Sequence, residues 1–151
     1  MLQLAQKSDL GPVNSLANQV HQMHIAWRPD IYESAESLYC EERFATAIRN
    51  RELYVAKIDD QVVGYALLPV RTVSQTGLVK RKVMLINEFC VEQSCRNSGI
   101  GKAMMVDVRA LAKAFGCTNI QLNVYPQNDD AVAFYQKCGF TIQTITMSTI
   151  L

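Results

Sequence analysis

A glycine-containing turn separates a buried-strand pattern from a helical pattern in the second half of the chain. It reads Arg-Asn-Ser-Gly-Ile-Gly-Lys over residues 96–102. Residues 83–91 form an apolar run that only Asn87 and Glu88 interrupt, which is typical of a central strand. The apolar residues that follow at helical spacing, before Gly116, are Ile100, Met104, Val108, Leu111 and Phe115. The sequence therefore predicts a strand, a tight turn and a long helix in succession.

The remainder of the second half continues this alternation. Apolar and polar residues alternate over 120–125, which indicates a strand with one polar face. Asn128 can cap a further helix that Gly139 ends, and the Thr- and Ile-rich residues 140–151 predict one or two last strands. Because strand–helix–strand units form right-handed crossovers between parallel strands, we predict an α/β fold with a mixed sheet.

The first half has a plausible order of elements but no specific motif. The predicted elements are a strand at 2–7, a helix that Ser8 or Asp9 caps and the turn at 28–30 ends, a second helix at 33–50, and a hairpin of strands at 53–58 and 62–70. Residues 71–82 are predicted to be a basic, flexible connection.

Size and charge exclude several classes of protein. With 151 residues, 49% of them hydrophobic, the chain fits one domain over residues 1–151. A net charge of +1 gives no support for binding to nucleic acid or to an anionic membrane surface. No apolar run approaches the roughly 18 residues of a membrane span, and the first residues lack a leader pattern, so we expect a cytoplasmic protein.

Cysteine and histidine usage predicts neither disulfides nor a metal site. The five cysteines are odd in number and contain no Cys-x-x-Cys pair, which favours reduced and mostly buried thiols. His21 and His24 lie one helical turn apart, but no third ligand follows at clear spacing. We therefore predict no bound metal.

The turn at 96–102 has the properties of an anion site. Glycine lets the backbone approach a ligand closely, and the first turn of a helix has unpaired N–H groups and about half a positive charge. A pyrophosphate suits such a turn, although a turn that only caps the helix is the alternative. A P-loop is excluded by Arg96 and Ala103, and Met104 argues against a dinucleotide-binding fingerprint.

The spacing of Arg96, Gly99 and Gly101 resembles the acetyl-CoA-binding motif of the GNAT acetyltransferase superfamily. Residues 86–91 are similar to that family's fourth strand, and residues 123–140 to its later strand–helix–strand unit. The resemblance is specific over residues 83–142. It implies a central, mostly antiparallel mixed sheet with a splayed parallel strand pair and about four helices.

The resemblance also implies where acetyl-CoA binds. The main chain at Phe89, Cys90 and Val91 would pair with the pantetheine arm and direct an N–H at the thioester carbonyl. Lys102 either adds charge beside the phosphates or is simply solvated, and Asn123 and Asn128 lie where relatives approach the cofactor. The pyrophosphate would be held by the amides of Arg96, Asn97, Ser98, Gly99, Ile100 and Gly101.

Two residues are predicted to carry the proton transfers. Tyr135 matches the tyrosine that protonates the departing CoA thiolate in many relatives, although a core tyrosine is the alternative. Glu88 is the candidate general base, since a carboxylate in an apolar strand is costly unless it is paired or used. A Glu88–arginine pair, or a water chain that ends at Asn123 and Tyr125, remains open.

The resemblance leaves the acceptor amine unidentified. Direct attack in a ternary complex is expected rather than an acetylated Cys90 or Cys138. A small-molecule amine and a protein N-terminus both remain open, as does a domain that binds acetyl-CoA without turnover. Residues 140–151 suit pairing across a dimer, so either a monomer or a homodimer is expected. Residues that could attract a cationic amine, or be merely solvated, are Asp30, Glu33, Glu36, Glu41 and Glu42.

Overall fold

Two stretches of chain cross from one sheet to the other, residues 61–73 at Leu68 and Pro69 and residues 81–91 at Asn87. The computed structural model describes all 151 residues, with seven strands and four α-helices. The strands are β1 (Leu2–Leu4), β2 (Leu53–Ile58), β3 (Gln61–Leu67), β4 (Val70–Val73), β5 (Arg81–Ile86), β6 (Glu88–Val91) and β7 (Asn119–Leu122). The helices are α1 (Leu10–Trp27), α2 (Glu41–Arg49), α3 (Ile100–Ala114) and α4 (Asp129–Lys137).

The first sheet has the order β1-β2-β3-β6 and is antiparallel throughout. The second has the order β4-β5-β7, in which β4 and β5 are antiparallel and β5 and β7 are parallel. The prediction of a mixed α/β fold with one parallel strand pair is therefore confirmed. The parallel pair arises because α3 returns the chain from β6 to β7 on the same side of the sheet.

The cores lie on either side of this strand system. One cluster joins α1 and α2 to the first sheet, around the buried side chains of Tyr39, Phe44 and Tyr65. A second packs α3 on the second sheet, through the buried face of Met105, Val108 and Ala112. The helical period after the glycine turn thus identified the face of α3 that is buried.

The predicted second helix at 33–50 is wrong in its first part, since α2 begins only at Glu41. The reason is tertiary: the N–H of Tyr39 donates to Asn14 Oδ1 at 2.8 Å, and Asn14 Nδ2 donates back to the Tyr39 carbonyl at 3.0 Å. These bonds hold the main chain of Tyr39 to α1, and Cys40 then caps α2 by accepting from the N–H of Arg43.

Other strands and helices begin or end at residues that differ from the predicted ones, for local reasons. Strand β1 ends at Leu4, and the Asp9 carboxylate, instead of capping α1, accepts from the N–H of Gln6 at 2.9 Å. The predicted strand at 62–70 divides at Pro69 into β3 and β4, because proline has no N–H to donate to a ladder. The predicted flexible connection at 71–82 is largely the β4–β5 hairpin.

The prediction of one or two strands in residues 140–151 is wrong for this structure. No residue after α4 belongs to a strand, and residues 141–151 are all exposed. The predicted strand at 120–125 is likewise shorter, since β7 ends at Leu122. No helix has both the length and the apolar character needed to cross a membrane.

Candidate active site

The two sheets separate at the junction of β5 and β6 and leave an opening there. Strands β5 and β7 stay paired as far as Ile86 and Leu122. Beyond Asn87 the chain joins β3 as β6, while the chain beyond Leu122 pairs with no strand. The inner edge of β6 therefore faces an unpaired segment that begins at Asn123. This is the splayed geometry that the sequence resemblance implies.

The register of β6 decides which of its main-chain groups face the opening. The N–H of Glu92 donates to the Val63 carbonyl at 2.8 Å, on the β3 side. Since main-chain groups alternate in direction along a strand, the N–H groups of Phe89 and Val91 face the opening. The Val91 carbonyl also lies there, where it accepts from Arg96 Nε at 3.1 Å.

The turn after β6 presents a row of free amides. Asn97 and Gly99 have positive φ angles of 61° and 88°, and Gly99 is the N-cap residue of α3. The N–H groups of residues 97–102 donate to no acceptor within the protein, as expected at the first turn of a helix. The prediction that the Arg96 amide joins them is wrong for this structure, because that N–H donates to the Gln93 carbonyl at 3.3 Å. Residues 96–99 are exposed, so these amides are accessible to an anion. The exposed Lys102 adds a positive charge to the same turn.

Tyr135 lies on the α3–α4 side of β6. Its ring packs against the rings of Phe89 and Phe140 at centroid distances of 6.3 and 5.7 Å. Its hydroxyl makes no hydrogen bond within the protein, so it is free to contact a ligand. Burial raises the pKa of the Tyr135 phenol well above its ordinary value, with the thiols of Cys138 and Cys90 adding to the effect. The phenol is therefore a proton donor near neutral pH.

Glu88 lies on the opposite face of β6, toward α1 and α2. Its Oε2 accepts from the hydroxyls of Tyr65 at 2.7 Å and Tyr39 at 2.9 Å, and its Oε1 accepts from Arg43 Nη2 at 3.1 Å. Burial first, and then the negative charge of Glu88, raise the pKa of both tyrosines, so they stay protonated as donors. The carboxylate is thus fixed in position but remains partly exposed.

The sequence analysis left open a pair between Glu88 and an arginine, which the structure shows with Arg43, but it did not identify any of the three partners by residue. Tyr65 is two residues from the Leu67 that pairs with Glu88, so its side chain shares the face of the sheet on which Glu88 lies. Strand alternation could have indicated that neighbour once the register was known. No pattern in the sequence indicates Tyr39 or Arg43, because both approach Glu88 through the packing of α2.

The cysteines near the opening are poorly suited to nucleophilic attack. Cys90 is buried against α1, with its thiol directed at the Leu16 carbonyl at 3.7 Å. Burial raises the pKa of this thiol to about 11, so it is protonated near neutral pH. All five cysteines are free, and no histidine forms a hydrogen bond with Cys90 or Cys138.

Aromatic side chains line the α1 side of the opening. The hydroxyls of Tyr32 and Tyr125 form a hydrogen bond at 3.0 Å. The centroid of the His24 ring lies 5.0 Å from that of Tyr32 and 5.6 Å from that of Tyr125. Burial lowers the pKa of His24, while the nearby charge of Glu88 opposes that shift. His21 Nε2–H donates to the Glu33 carbonyl at 2.7 Å, which ties α1 to the following loop.

Two predicted asparagines lie on the β7 side of the opening. Asn128 is half-buried and caps α4, with its Oδ1 accepting from the N–H of Ala131 at 3.2 Å. Asn123 is exposed in the unpaired segment immediately after β7. Both are therefore close in sequence to the segment that faces β6, and Tyr125 lies between them.

Comparison with known proteins gives consistent matches. The sequence model of the acetyltransferase (GNAT) family matches residues 18–140. The uncharacterized N-acetyltransferase YvbK of Bacillus subtilis is 32% identical over 95 residues, which cover 62% of this chain and 56% of that protein. Across four curated N-acetyltransferases that it matches, the chain spans 38–56% of their length.

Solved structures match over the whole chain. A mutant BH1408 protein from Bacillus halodurans superimposes with a TM-score of 0.95 at 28% identity, covering 100% of this chain and 99% of that one. The aminoglycoside N-acetyltransferase AAC(6')-Iy in complex with CoA has a TM-score of 0.71 at 16% identity, with 100% of both chains covered. At this identity, the similarity to the aminoglycoside N-acetyltransferase shows only that the two folds are alike.

Proposed function

Because the chain belongs to the acetyltransferase (GNAT) family, we propose that it transfers an acetyl group from acetyl-CoA to the nitrogen of a primary amine. The observation that carries the proposal is the opening beside β6, which has Glu88 on one face and Tyr135 on the other. Residues 1–151 would act as one domain, because the two sheets that form the opening are joined by the continuous chain of β5 and β6.

Acetyl-CoA would bind with its pantetheine arm along the open edge of β6. The N–H groups of Phe89 and Val91 face that edge, and one of them can donate to the thioester carbonyl oxygen. Such a preorganised donor stabilises the charge that develops on this oxygen, typically by about 3 kcal/mol. The free amides of residues 97–102 would hold the pyrophosphate, and Asn123 and Asn128 would flank the arm.

Tyr135 would protonate the leaving thiolate. The amine nitrogen attacks the carbonyl carbon, a C–N bond forms, and the C–S bond breaks with its electron pair on sulfur. The phenol hydroxyl, which has no partner in the protein and a raised pKa, supplies the proton. A neutral, buried Cys90 supports direct transfer to the amine rather than through an acetylated cysteine.

Glu88 would receive the amine. Its carboxylate is held by three donors from two tyrosines and an arginine, so it is fixed on the side of the opening from which the acceptor approaches. An ammonium group that binds there gives up its proton to Glu88, directly or through water, before it attacks. The ion pair with Arg43 supports the positioning of this carboxylate.

The acceptor would be a small-molecule amine or a protein N-terminus. The rim that it passes is aromatic, through Tyr32, His24 and Tyr125, and an ammonium group interacts favourably with such ring faces. With a net charge of +1 and no membrane-spanning helix, a cytoplasmic enzyme that binds neither nucleic acid nor membrane is the form we propose, as a monomer or homodimer.

The test measures release of the CoA thiol with a panel of small amines and N-terminal peptides. We expect amine-dependent release that falls about 10²–10⁴-fold in Tyr135→Phe and in Glu88→Gln. Tyr54→Phe is a matched control. The Tyr54 hydroxyl is buried, has no hydrogen-bond partner and lies outside the opening. Glu52→Gln is the control for the carboxylate.

The pH dependence adds a second readout. Because burial raises the pKa of Tyr135, the rate should not fall between about pH 7 and pH 9 from loss of its proton. It should rise as the acceptor amine deprotonates. Tight acetyl-CoA binding without release for any amine would overturn the proposal in favour of a domain that binds acetyl-CoA without turnover.

A further inference from the structure

An arginine lies beside the candidate base, on the α1 and α2 side of β6. Arg43 Nη2 donates to Glu88 Oε1 at 3.1 Å, and the two side chains are 49% and 27% exposed. Arg43 Nη1 donates to the Leu38 carbonyl at 2.6 Å, and the guanidinium carbon lies 4.2 Å from the centroid of the Tyr39 ring. Both charges of this pair are therefore fixed in position and accessible from solvent.

The hydrogen bonds of Glu88 leave one place for an ammonium group. Its Oε2 already accepts from the hydroxyls of Tyr39 and Tyr65, at 2.9 and 2.7 Å. Because a carboxylate oxygen accepts about two hydrogen bonds, Oε2 is filled and Oε1 has room for one more donor beside Arg43. An amine that binds Glu88 therefore has its nitrogen, and the carbon attached to that nitrogen, next to the guanidinium.

Arg43 in turn has N–H donors that are not used. A guanidinium carries more N–H groups than the bonds to Leu38 and Glu88 require, and its planar fork matches a carboxylate. A carboxylate on the carbon next to the amine nitrogen would reach these donors, whereas a second ammonium group there would be repelled. When such a carboxylate binds Arg43 and the ammonium binds Glu88, the charges at the site stay balanced.

The aromatic rim of the opening lies near Glu88 but carries no charge of its own. Burial lowers the pKa of His24, so this ring is neutral near neutral pH, even though the charge of Glu88 opposes the shift. The hydroxyls of Tyr32 and Tyr125 bond to each other at 3.0 Å. The three rings therefore offer a neutral surface for an apolar side chain of the acceptor.

Acidic side chains in the loop before α2 and in its first turn favour an alternative, a purely cationic acceptor. The glutamates of residues 33–42 are exposed and form no ion pair within the protein. Such exposed charges are screened by salt and attract any amine only at long range. Glu88 and Arg43 contact each other, so their opposite charges decide which amine is favoured where the reaction takes place.

We propose that the acceptor is a free α-amino acid, whose ammonium group binds Glu88 Oε1 while its carboxylate binds Arg43. The inference rests on the proposed acetyl transfer and narrows its substrate from amines in general to zwitterions. Arg43 is then a specificity-determining residue as well as a partner of Glu88. A peptide N-terminus offers Arg43 only a neutral carbonyl, and a polyamine offers it a further cation, so both are poorer substrates.

The first test compares leucine with 3-methylbutylamine, which is leucine without its carboxylate, and with spermidine. We expect the kcat/KM of CoA thiol release to be about 10–100-fold higher for leucine, the range that a hydrogen bond between charged groups provides. Release that is as fast with 3-methylbutylamine or spermidine overturns the inference and leaves the proposed acetyl transfer intact.

Substitution of Arg43 tests its role in selectivity. The ratio of kcat/KM for leucine to that for 3-methylbutylamine should fall about 10–100-fold in Arg43→Gln and less in Arg43→Lys, which keeps the charge. Comparing this ratio between variants cancels the different basicities of the two amines. Arg49→Gln is the matched control on the same helix, because Arg49 donates to Thr46 Oγ1 at 3.0 Å. The same ratio in Arg43→Gln and Arg49→Gln contradicts a carboxylate bound by Arg43.

Calorimetry measures recognition without turnover. On protein saturated with CoA, which has no acetyl group to transfer, we expect leucine to bind about tenfold or more tightly than 3-methylbutylamine, and Arg43→Gln to remove that difference. This pattern without thiol release from acetyl-CoA would overturn the proposed acetyl transfer and still support the amino-acid site. Equal binding of the two amines overturns the amino-acid site, whether or not acetyl transfer occurs.

Discussion

Gly99 is the residue of the anion turn whose conformation most depends on the absence of a side chain. Its φ angle is 88°, and Gly77 in the β4–β5 connection has a similar angle of 85° with open space around it. A Cβ in this region costs about 1 kcal/mol, so we expect Gly99→Ala and Gly77→Ala to lose similar stability in denaturant unfolding. Only Gly99→Ala should also weaken the binding of CoA in calorimetry.

Gly77 is therefore a matched control for backbone strain. If both variants bind CoA as the natural chain does, the turn at 96–102 does not hold the pyrophosphate. If both bind it poorly, the loss reflects general destabilisation. Only a selective effect at Gly99 supports the assignment.

At the scale of elements, the sequence predicted α3 and α4 well and failed at the start of the second helix and at the tail. The helix after the glycine turn and the capped α4 follow from local periodicity and capping, and both are found at the expected residues. The predicted second helix was too long at its start, because the hydrogen bonds between Tyr39 and Asn14 connect residues that are 25 positions apart. No local pattern contains that information.

The candidate site was likewise predicted only in part from the sequence. The glycine turn, Tyr135 and Glu88 could be identified from motifs, whereas the direction of each main-chain group on β6 required the register with β3. The tyrosines that hold Glu88 come from β3 and from the loop before α2, so only the packed structure identifies them. The tail was predicted as a strand from its composition, yet its own chain provides no paired edge for it.

Gly64 joins two elements of the site through close packing. A Cβ at this residue of β3 would lie 2.8 Å from the Cys90 carbonyl oxygen and 2.9 Å from Met104 Sδ. We expect Gly64→Ala to cost about 1–3 kcal/mol in urea unfolding. Because the carbonyl belongs to β6, the variant should also bind acetyl-CoA more weakly, which calorimetry measures.

Gly11→Ala provides the comparison, since a Cβ at Gly11 in α1 meets nothing within 4 Å. Alanine in a helix should be neutral or slightly stabilising there. A Gly64→Ala protein that is destabilised but binds acetyl-CoA normally would mean that β6 does not depend on this packing for its position.

At the scale of the whole molecule, the candidate site lies where the two sheets part. Strand β6 belongs to the first sheet and β7 to the second, and the chain joins the two sheets at Asn87 and, beside it, at Leu68 and Pro69. A ligand that contacts both β6 and the segment after β7 would connect the two halves. Ligand binding and global stability should therefore be strongly linked.

This linkage predicts a rise in the unfolding temperature with acetyl-CoA. At a ligand concentration of 100 times Kd, binding adds about 2.7 kcal/mol, which corresponds to about 5–10 °C for a domain of this size. Hydrogen exchange should show added protection at both 88–91 and 123–125, because the arm would lie between these segments. Free adenosine diphosphate can contact only the turn at 96–102, so it should raise the temperature less and leave both segments unchanged. Protection by acetyl-CoA that is confined to the turn would contradict a cofactor inserted between the sheets.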